Sequence, residues 1–319
     1  MTQTITKPEA LLEALGLDEH LLAGARAANE AFALRVPAPY LARIRRGDPN
    51  DPLLRQILPL GEELEEQSGY VSDPLDEGAA KRAPGLLQKY AGRALLITTQ
   101  ACAIHCRYCF RREFPYAEQV SGEGGRWNEA LEAIATDSSL EEVILSGGDP
   151  LTLSDARLKQ ITDALAAMPH VQRIRVHTRQ PVVLPSRVDD GLSGWIVGIR
   201  QPVVFVLHVN HPNEIDDEVR AACARLRAVG VTLLNQSVLL AGVNDDVDTL
   251  KRLSITLMNA GVLPYYLHLP DRVRGTAHFD VAESRAKELV AALTTQLSGY
   301  LVPRLVREIP GAPSKTAIF

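Results

Sequence analysis

The sequence lacks long apolar segments, a secretory leader and an excess of basic residues. No apolar run in its 319 residues reaches the roughly 20 residues that a membrane-spanning helix needs. The N-terminus, Met-Thr-Gln-Thr-Ile-Thr-Lys, has no cationic segment followed by an apolar one, unlike a secretory signal. The formal net charge of -5 argues against a general nucleic-acid binder, which needs a basic face. These absences predict a cytoplasmic protein with neither a membrane nor a nucleic-acid partner.

Cysteine is scarce as well, yet three of the four cysteines fall in one short segment, Cys102-Ala-Ile-His-Cys106-Arg-Tyr-Cys109. A Cys-x3-Cys-x2-Cys loop can occupy three corners of a [4Fe–4S] cluster and leave the fourth iron open. The open iron favours a small-molecule ligand, and S-adenosylmethionine is the ligand we expect. A Cys3His zinc site using His105 and a set of buried thiols both stay open as interpretations. The fourth cysteine, Cys223, lies on a predicted helix and is interpreted as a core residue.

The chain divides near residue 93 into two predicted regions. Residues 1–92 carry helical stretches at 9–15 and 21–34, joined by connections rich in Pro, Gly and Asp, and predict a helical region. Residues 93–319 predict a second domain, in which apolar runs rich in β-branched residues alternate with helical segments. The predicted strands lie at residues 94–98, 142–145, 173–177, 203–208, 232–235 and 264–268. The helices predicted among them lie at residues 127–135, 155–168, 216–229 and 247–260.

Six strand–helix units predict an α/β fold with a parallel sheet, either curved into a partial barrel or open and doubly wound. Functional groups of such folds gather at the carboxyl ends of the strands. Polar clusters follow five of the predicted strands, and each alone has an ordinary explanation as a turn, a helix cap or a core histidine. Their shared edge, beside the three cysteines, predicts a site instead. The clusters begin at or include Ser146, His177, His208, Asn235 and Asp271.

The cysteine loop, together with Ser146-Gly147-Gly148-Asp149-Pro150, resembles the radical S-adenosylmethionine enzymes. Further motifs resemble the lysine 2,3-aminomutase family over about residues 35–319. These motifs are Cys109-Phe110-Arg111-Arg112, His211-Pro212-Asn213-Glu214, Asn235-Gln236-Ser237-Val238-Leu239-Leu240, Pro264-Tyr265-Tyr266-Leu267 and Ser314-Lys315-Thr316. Within the family, the chain is most similar to the short branch that makes (R)-β-lysine for modification of elongation factor P. The resemblance implies a partial (β/α)6 TIM-like barrel of radical SAM type with an N-terminal helical extension.

Three cofactors are implied by this resemblance: a [4Fe–4S] cluster, S-adenosyl-L-methionine and pyridoxal 5'-phosphate. The cluster would be bound by Cys102, Cys106 and Cys109. S-adenosylmethionine would be contacted by Ser146, Gly147, Gly148, Asp149, His208 and Gln236. Pyridoxal phosphate would be anchored covalently by Lys315, in the C-terminal segment, with its phosphate held by Lys89, Tyr90 and Arg93. Lys89 replaces an arginine of the family, and would meet the phosphate as a point charge rather than as a bidentate fork.

The resemblance also implies how the substrate, L-lysine, is held at its two ends. Arg111 would clamp the α-carboxylate through two parallel hydrogen bonds. Asp271 would receive the ε-ammonium group, and Glu308 falls where the family often has a second acid. The competing interpretation of both acids is a surface ion pair with a neighbouring arginine.

The function implied is that of an isomerase, a radical 2,3-aminomutase converting L-α-lysine to β-lysine. Its partners would be a cellular one-electron reductant and a functional link to an elongation factor P lysyl-ligase, and a homo-oligomer is compatible with the sequence. Aminomutation of glutamate or arginine is the competing function within the same class. The sequence is also compatible with a radical S-adenosylmethionine enzyme that uses no pyridoxal phosphate, and with a non-enzymatic metal-binding or electron-transfer protein.

Overall fold

A computed structural model of the chain describes residues 4–116 and 127–319. Strands and helices are numbered here in chain order. The strands are β1 Thr4–Ile5, β2 Val36–Pro37, β3 Lys81–Ala83, β4 Leu86–Tyr90, β5 Arg93–Thr99, β6 Glu142–Gly147, β7 Arg173–Thr178, β8 Val203–Leu207, β9 Thr232–Val238, β10 Leu263–His268, β11 Arg304–Arg307 and β12 Thr316–Ala317. The α-helices are α1 Pro8–Leu15, α2 Leu22–Ala31, α3 Ala38–Leu41, α4 Pro52–Arg55, α5 Asn128–Thr136, α6 Asp155–Ala166, α7 Gln180–Val183, α8 Asp190–Val197, α9 Asp217–Ala228, α10 Val247–Asn259 and α11 Glu283–Gln296.

Ten of these strands form one sheet in which every neighbour in space is also a neighbour in sequence, from β3 to β12. The strands from β5 to β11 run parallel, whereas β3, β4 and β12 pair antiparallel at the two sides. All six predicted strands are present, with small shifts at their ends. The seventh parallel strand, β11, was not predicted from the sequence because its Arg-Leu-Val-Arg segment is short and flanked by charge.

Residues 81–90, which the sequence assigned to the helical N-terminal region, instead form β3 and β4 and join the sheet. Leu86 and Leu87 are buried, and the three residues after them are half-buried, so β4 lacks a regular alternation. It also lacks β-branched residues, which are the usual sequence signal of a strand. The helical prediction therefore fails for these ten residues, while the division of the chain near residue 93 stays a prediction.

The sheet curves into an open barrel, as one long-range contact demonstrates. Lys89 lies on β4 and Glu308 directly follows β11, with six strands between these two in the sheet. Nevertheless, the Lys89 Nζ atom lies 2.9 Å from Glu308 Oε1. A flat sheet would hold strands so far apart in the order tens of ångströms from each other, since neighbouring strands are about 4.8 Å apart. The two sides of the sheet therefore meet around an interior.

The two faces of the curved sheet differ in chemistry. On β7, Ile174 and Val176 are fully buried in the main hydrophobic core, which the helices on the outside of the sheet complete. Arg175 and His177 alternate with them and line an interior cavity. This period of two follows from strand geometry, which sends successive side chains to opposite faces. The outer face stabilises the fold and the inner face is left for polar groups.

The N-terminal helices form a separate hydrophobic cluster with the cysteine loop. Leu11, Leu12 and Leu15 of α1 are buried at helical spacing, and α1 ends at Gly16, whose φ of 64° suits glycine. The same cluster includes Ile104, which lies between the first two cysteines. None of the helices in residues 4–116 and 127–319 is both long and apolar enough to cross a membrane.

Candidate active site

The inner face of the barrel encloses a cavity of about 320 Å³. Every residue that the sequence assigned to a cofactor or to the substrate lines this one cavity. The set consists of Lys89, Tyr90, Arg93, Cys102, Cys106, Cys109, Arg111, Ser146, Gly147, Gly148, Asp149, His208, Gln236, Asp271, Glu308 and Lys315. These residues come from seven strands and the loops that follow them, so only the curvature of the sheet brings them together.

The cysteine loop follows β5 and is held by the backbone of the N-terminal region. His105 donates its backbone N–H to the carbonyl oxygen of Arg35 at 3.0 Å, and Arg107 donates its backbone N–H to that of Gln56 at 2.9 Å. The His105 ring stacks on Phe32 with centroids 5.4 Å apart. These contacts fix the loop from outside the barrel while its cysteines line the inside.

A buried carboxylate, that of Glu63, adds the strongest link between the two regions. It accepts two hydrogen bonds from Arg107, at 2.8 and 2.6 Å, and one from Arg112 at 2.7 Å. Glu63 and Arg107 side chains are fully buried. Arg112 of the Cys-Phe-Arg-Arg motif therefore supports the loop and does not line the cavity.

The donor set of the loop suits a cluster better than a single ion. No three His, Cys, Asp or Glu side chains in the described ranges meet closely enough to hold one metal ion. His105, the fourth ligand of the zinc interpretation, does not line the cavity wall that the three cysteines share, and its Nδ1 lies 2.7 Å from the Ala33 carbonyl oxygen. Burial raises the pKa of Cys109 to about 11, so a thiolate there requires a cation beside it. Three separate thiols on one cavity wall are what the corners of a cubane cluster need.

Gly147 and Gly148 allow β6 to end directly against the chain that leads into the cysteine loop. The φ angle of Gly147 is 118°, a region that favours glycine. A Cβ on Gly148 would lie 2.4 Å from the Ala101 carbonyl oxygen, which is closer than any real contact. Gly148 donates its N–H to the Thr99 carbonyl oxygen at 2.7 Å. Both glycines are thus required by backbone packing at this turn.

The Asp149 side chain is fully engaged in hydrogen bonds within the protein. Its carboxylate accepts hydrogen bonds from the hydroxyl of Thr178 and the N–H groups of Leu151, Arg179 and Gln180, at 2.7 to 3.0 Å. The residue is buried. It joins the end of β6 to the end of β7, and any contact with a cofactor would be secondary to this role.

His208 lies at the end of β8 and is neutral. Burial, followed by the positive charge of Arg179, lowers the pKa of His208 to about 3. Its ring stacks on Tyr108 with centroids 5.5 Å apart, and its Nε2 lies 2.9 Å from the Tyr108 hydroxyl. Gln236 lines the same cavity from β9. A neutral imidazole and a carboxamide offer hydrogen bonds without charge.

Glu308 connects two lysines. Its Oε2 lies 2.7 Å from Lys315 Nζ and its Oε1 lies 2.9 Å from Lys89 Nζ. Burial raises the pKa of Glu308, but the two ammonium groups outweigh burial and hold it well below the usual range. The interpretation of Glu308 as a surface ion pair is wrong, since the adjacent Arg307 pairs with Glu283 at 3.0 Å.

Asp271, which follows β10, faces the cavity without a side-chain hydrogen bond or ion pair to any residue of the described ranges. Burial and the Glu308 carboxylate raise the pKa of Asp271 to about 7, against the opposing charge of Lys315. The neighbouring Arg272 pairs with Asp280 instead, at 3.5 Å. A half-buried acid in this position is prepared for a cation that arrives from outside.

Arg111 is held by Glu77, a residue that the sequence analysis missed. The Nε and Nη2 atoms of Arg111 each donate to the Glu77 carboxylate at 2.8 Å, and Nη1 lies 3.3 Å from Ser146 Oγ. Lys89 also lies within 3.1 Å of Glu77. Glu77 therefore occupies the Nε and Nη2 side of the guanidinium, and the Nη1 side is left for other partners. The segment around Glu77 is a Gly- and Asp-rich connection, and carries no pattern that would have indicated this contact.

Sequence similarity now adds to the geometry. The profile of the Radical SAM superfamily matches residues 96–253. The L-lysine 2,3-aminomutase of Escherichia coli (strain K12) is 48% identical over 320 residues, which cover 100% of this chain and 93% of that protein. The chain belongs to the L-lysine 2,3-aminomutase family. Relatives in this family include the Haemophilus influenzae protein, 46% identical over 99% of this chain and 93% of its own, and the Clostridium subterminale protein, 38% identical over 91% and 69%.

A solved structure supports the fold of this L-lysine 2,3-aminomutase family member. A radical SAM methyltransferase from Sphaerobacter thermophilus is 16% identical, with a TM-score of 0.50 over 70% of this chain and 68% of that one. At this identity the likeness concerns the fold alone. The predicted α/β fold of radical SAM type and the predicted family are both confirmed, and the family implies a [4Fe–4S] cluster, S-adenosylmethionine and pyridoxal phosphate as cofactors.

The aminomutase family member also has orphaned polar atoms in its cavity. His177 Nε2 and His268 Nε2 are buried without a hydrogen-bond partner among residues 4–116 and 127–319, and so is the Tyr90 hydroxyl. Buried polar atoms normally have partners, and unpaired ones indicate a ligand or solvent that completes them. Arg93 places its guanidinium 4.7 Å from the centroid of the Tyr90 ring. This part of the cavity fits a polar, anionic ligand such as a phosphorylated pyridine.

Proposed function

We propose that the chain is an isomerase that moves the amino group of L-lysine from Cα to Cβ. One observation carries the proposal: a single cavity is lined by the three thiols of Cys102, Cys106 and Cys109 and by the amine of Lys315. A radical-generating centre and a carbonyl cofactor would therefore share one space. Neither half would suffice for a 1,2-shift of nitrogen.

At the cysteine side of the cavity, the protein would bind the cluster and orient S-adenosylmethionine. The three thiols would ligate three irons, while Gly147 and His208 would face S-adenosylmethionine. When bound, the cluster and S-adenosylmethionine supply a carbon radical, and pyridoxal phosphate supplies the π-system that carries the nitrogen. The neutral state of His208 supports a role in hydrogen bonding rather than in charge balance.

At the lysine side, Lys315 would anchor pyridoxal phosphate. Glu308 holds the Lys315 amine at 2.7 Å and so fixes its direction before any ligand enters. Arg93 and the unpaired hydroxyl of Tyr90 supply positive charge and a donor for the phosphate. Lys89, which lies between the carboxylates of Glu77 and Glu308, would add its positive charge near the phosphate.

The substrate would lie between the two sides. Arg111 presents Nη1, the edge that Glu77 leaves uncovered, to the α-carboxylate. Asp271 would receive the ε-ammonium, with Glu308 as a second acid nearby. Asp271, which has no ion-pair partner in the described ranges, favours lysine over glutamate, because a substrate without a cation would leave its charge unpaired, a penalty that can reach about 10⁴-fold.

An anaerobic assay tests the proposal. The reconstituted protein, supplied with L-lysine, dithionite, S-adenosylmethionine and pyridoxal phosphate, should form β-lysine, detected by chromatography. Cys102→Ala should abolish both iron binding and product, whereas Cys223→Ala, a matched change on the far helix α9, should retain both. Cleavage of S-adenosylmethionine without any β-lysine would refute the aminomutase function, and faster turnover of glutamate or arginine would refute lysine as substrate.

We also propose that the product is (R)-β-lysine and that it is passed to an elongation factor P lysyl-ligase in the cytoplasm, with a cellular one-electron reductant feeding the cluster. The resemblance to the branch that makes this product supports the proposal, and the four free cysteines suit a reducing compartment. Chiral chromatography of the product, followed by a coupled ligase assay, tests it. The (S) enantiomer would contradict it.

A further inference from the structure

Arg179 touches one of the cluster cysteines. It directly follows β7, and its Nη1 donates a hydrogen bond to Cys106 Sγ at 2.7 Å. The arginine is buried, with 6% of its surface exposed, so water does not screen this contact. None of the functions assigned above uses Arg179, although it lines the cavity.

The guanidinium of Arg179 is held at both of its Nη groups, while its buried Nε has no hydrogen-bond partner in the described ranges. Its Nη2 donates to Glu214 Oε2 and to Gln56 Oε1, each at 2.7 Å. Its charge lies over the rings of Tyr40, at 5.4 Å, and Tyr108, at 5.7 Å. These partners come from the N-terminal region, the cysteine loop and the turn after β8, so three separate parts of the chain converge on one side chain.

Residues of two sequence motifs hold Arg179 in place. The Asp149 carboxylate of the Ser-Gly-Gly-Asp-Pro motif accepts the backbone N–H of Arg179 at 2.7 Å. Glu214, from the His-Pro-Asn-Glu motif, is fully buried and is itself fixed by the N–H groups of Asn210 and His211, at 2.8 and 3.0 Å. The backbone and the head group of Arg179 are therefore both anchored, and the side chain has little freedom to leave the sulfur.

We propose that Arg179 is a positioning residue that sets the reduction potential of the iron–sulfur cluster through its hydrogen bond to Cys106. The inference rests on the proposed function, since it assumes a cluster on the three cysteines. Reduction adds one electron from a low-potential donor and takes [4Fe–4S]²⁺ to [4Fe–4S]⁺. The added negative charge is stabilised by a cation and by a hydrogen bond at a ligating sulfur, and both raise the potential.

Glu214 opposes this effect. Its carboxylate lies against the same guanidinium and cancels part of its charge, so the cluster experiences the net field of the pair. Removing the positive member should make the cluster harder to reduce, and removing the negative member should make it easier. Opposite shifts from two members of one buried ion pair would not arise if both residues merely supported the fold.

The experiment is a redox titration of the reconstituted full-length protein, with the reduced cluster followed by electron paramagnetic resonance. Arg179→Gln should shift the midpoint to a more negative potential by about 59 mV or more, a tenfold fall in the ratio of reduced to oxidised cluster for a one-electron couple. Glu214→Gln should shift it to a less negative potential. Arg179→Lys, which keeps the charge, should lie between Arg179→Gln and the wild type.

The control is Arg187→Gln, since Arg187 is also a largely buried arginine but donates to the Leu151 carbonyl oxygen and pairs with Asp155. Its midpoint should equal that of the wild type. Unchanged midpoints in the Arg179 and Glu214 variants, at normal iron and sulfide content, would overturn the inference. If Arg179→Gln binds no iron, the Arg179→Lys and Glu214→Gln midpoints decide. A wild-type protein that binds no iron refutes the proposed function instead.

Discussion

Glu77 controls two cations that serve different ligands. Its carboxylate grips the Nε and Nη2 atoms of Arg111 and also lies 3.1 Å from Lys89 Nζ. The proposed roles assign Arg111 to the substrate carboxylate and Lys89 to the cofactor phosphate. One buried acid thus keeps two anion sites apart, and without it both cations could turn toward the same anion.

Replacing Glu77 by Gln should therefore weaken lysine binding. Hydrogen bonds to charged groups contribute about 1.5–3 kcal/mol, so we expect KM for lysine to rise roughly ten- to hundredfold, with a smaller change in kcat. Steady-state kinetics under anaerobic conditions measure both. Glu113→Gln is the control, since Glu113 pairs with the exposed Arg274 at 3.3 Å and lies outside the cavity wall. An unchanged KM in Glu77→Gln would show that the Glu77 carboxylate is not needed to orient Arg111.

Asp271 predicts a pH dependence. With its pKa raised to about 7, the carboxylate is largely neutral below that pH and ionised above it, while Glu308 stays ionised throughout. The substrate ε-ammonium keeps its proton over this range. kcat/KM for lysine should therefore rise as pH increases through about 7 and then level off.

The charged groups facing Asp271 are Glu308, Lys315, Lys89 and Glu77. In Asp271→Asn the rise with pH should disappear and kcat/KM should be low at every pH. A profile that keeps its rise in this variant would assign the titration to another group.

The sequence predicted the residues of the site that lie in a recognisable motif. It missed those whose contact depends only on the folded chain bringing distant residues together. Lys315 and Asp271 fall in segments that resemble the family. Glu77 contacts Arg111 across 34 residues, and this pairing has no local sequence signal because the curvature of the sheet brings the two residues together. His177 was predicted at the strand ends that line the site, but the sequence assigned it no role.

Among elements, the turn from β6 into the following loop is the tightest junction in the site. A Cβ added to Gly148 would lie 2.4 Å from the carbonyl oxygen of Ala101, the residue just before the first cysteine. Gly148→Ala should push this backbone away, with lower thermal stability and less iron bound per chain. Differential scanning calorimetry and iron analysis measure the two effects.

A matched change elsewhere should act in the opposite direction. Gly194 lies inside helix α8, and a Cβ there would meet nothing within 4 Å. Gly194→Ala should raise stability by about 0.5–1 kcal/mol, because alanine loses less backbone entropy in a helix. If both variants lowered iron binding equally, the close approach at Gly148 would not be the cause.

Strands with a strong local signal were predicted well, and the others were not. In β7 and β8 at least every second residue is β-branched, and the predicted limits differ from the observed ones by a single residue. β3, β4 and β11 are rich in Lys, Arg, Gln and Leu. These strands form because a neighbouring strand offers its edge, which is a property of the assembled sheet.

For the whole molecule, the N-terminal region acts as a clamp on the cysteine loop. Glu63 is the centre of that clamp, with Arg107 and Arg112 bound to one buried carboxylate. Glu63→Ala would leave two buried cations without a carboxylate, at a cost of about 3–5 kcal/mol. We expect a lower unfolding temperature and faster proteolysis within residues 1–64, together with a loss of bound iron.

Glu66→Ala is the control for this prediction, since Glu66 is exposed and lies in the same segment. It should leave unfolding, proteolysis and iron content as in the wild type. Normal iron content in Glu63→Ala would mean that the cysteine loop is ordered by the barrel alone.

The contact between Lys89 and Glu308 also bears on the order in which the protein folds. It joins residues 219 positions apart, and such distant contacts form late because the entropy of closing the intervening chain is lost first. The cysteine loop, in contrast, is fastened by nearby N-terminal residues. The side of the cavity that holds Lys315 is therefore completed by a contact far more distant along the chain than the contacts that hold the cysteine loop, and we expect it to be the last part of the cavity to form.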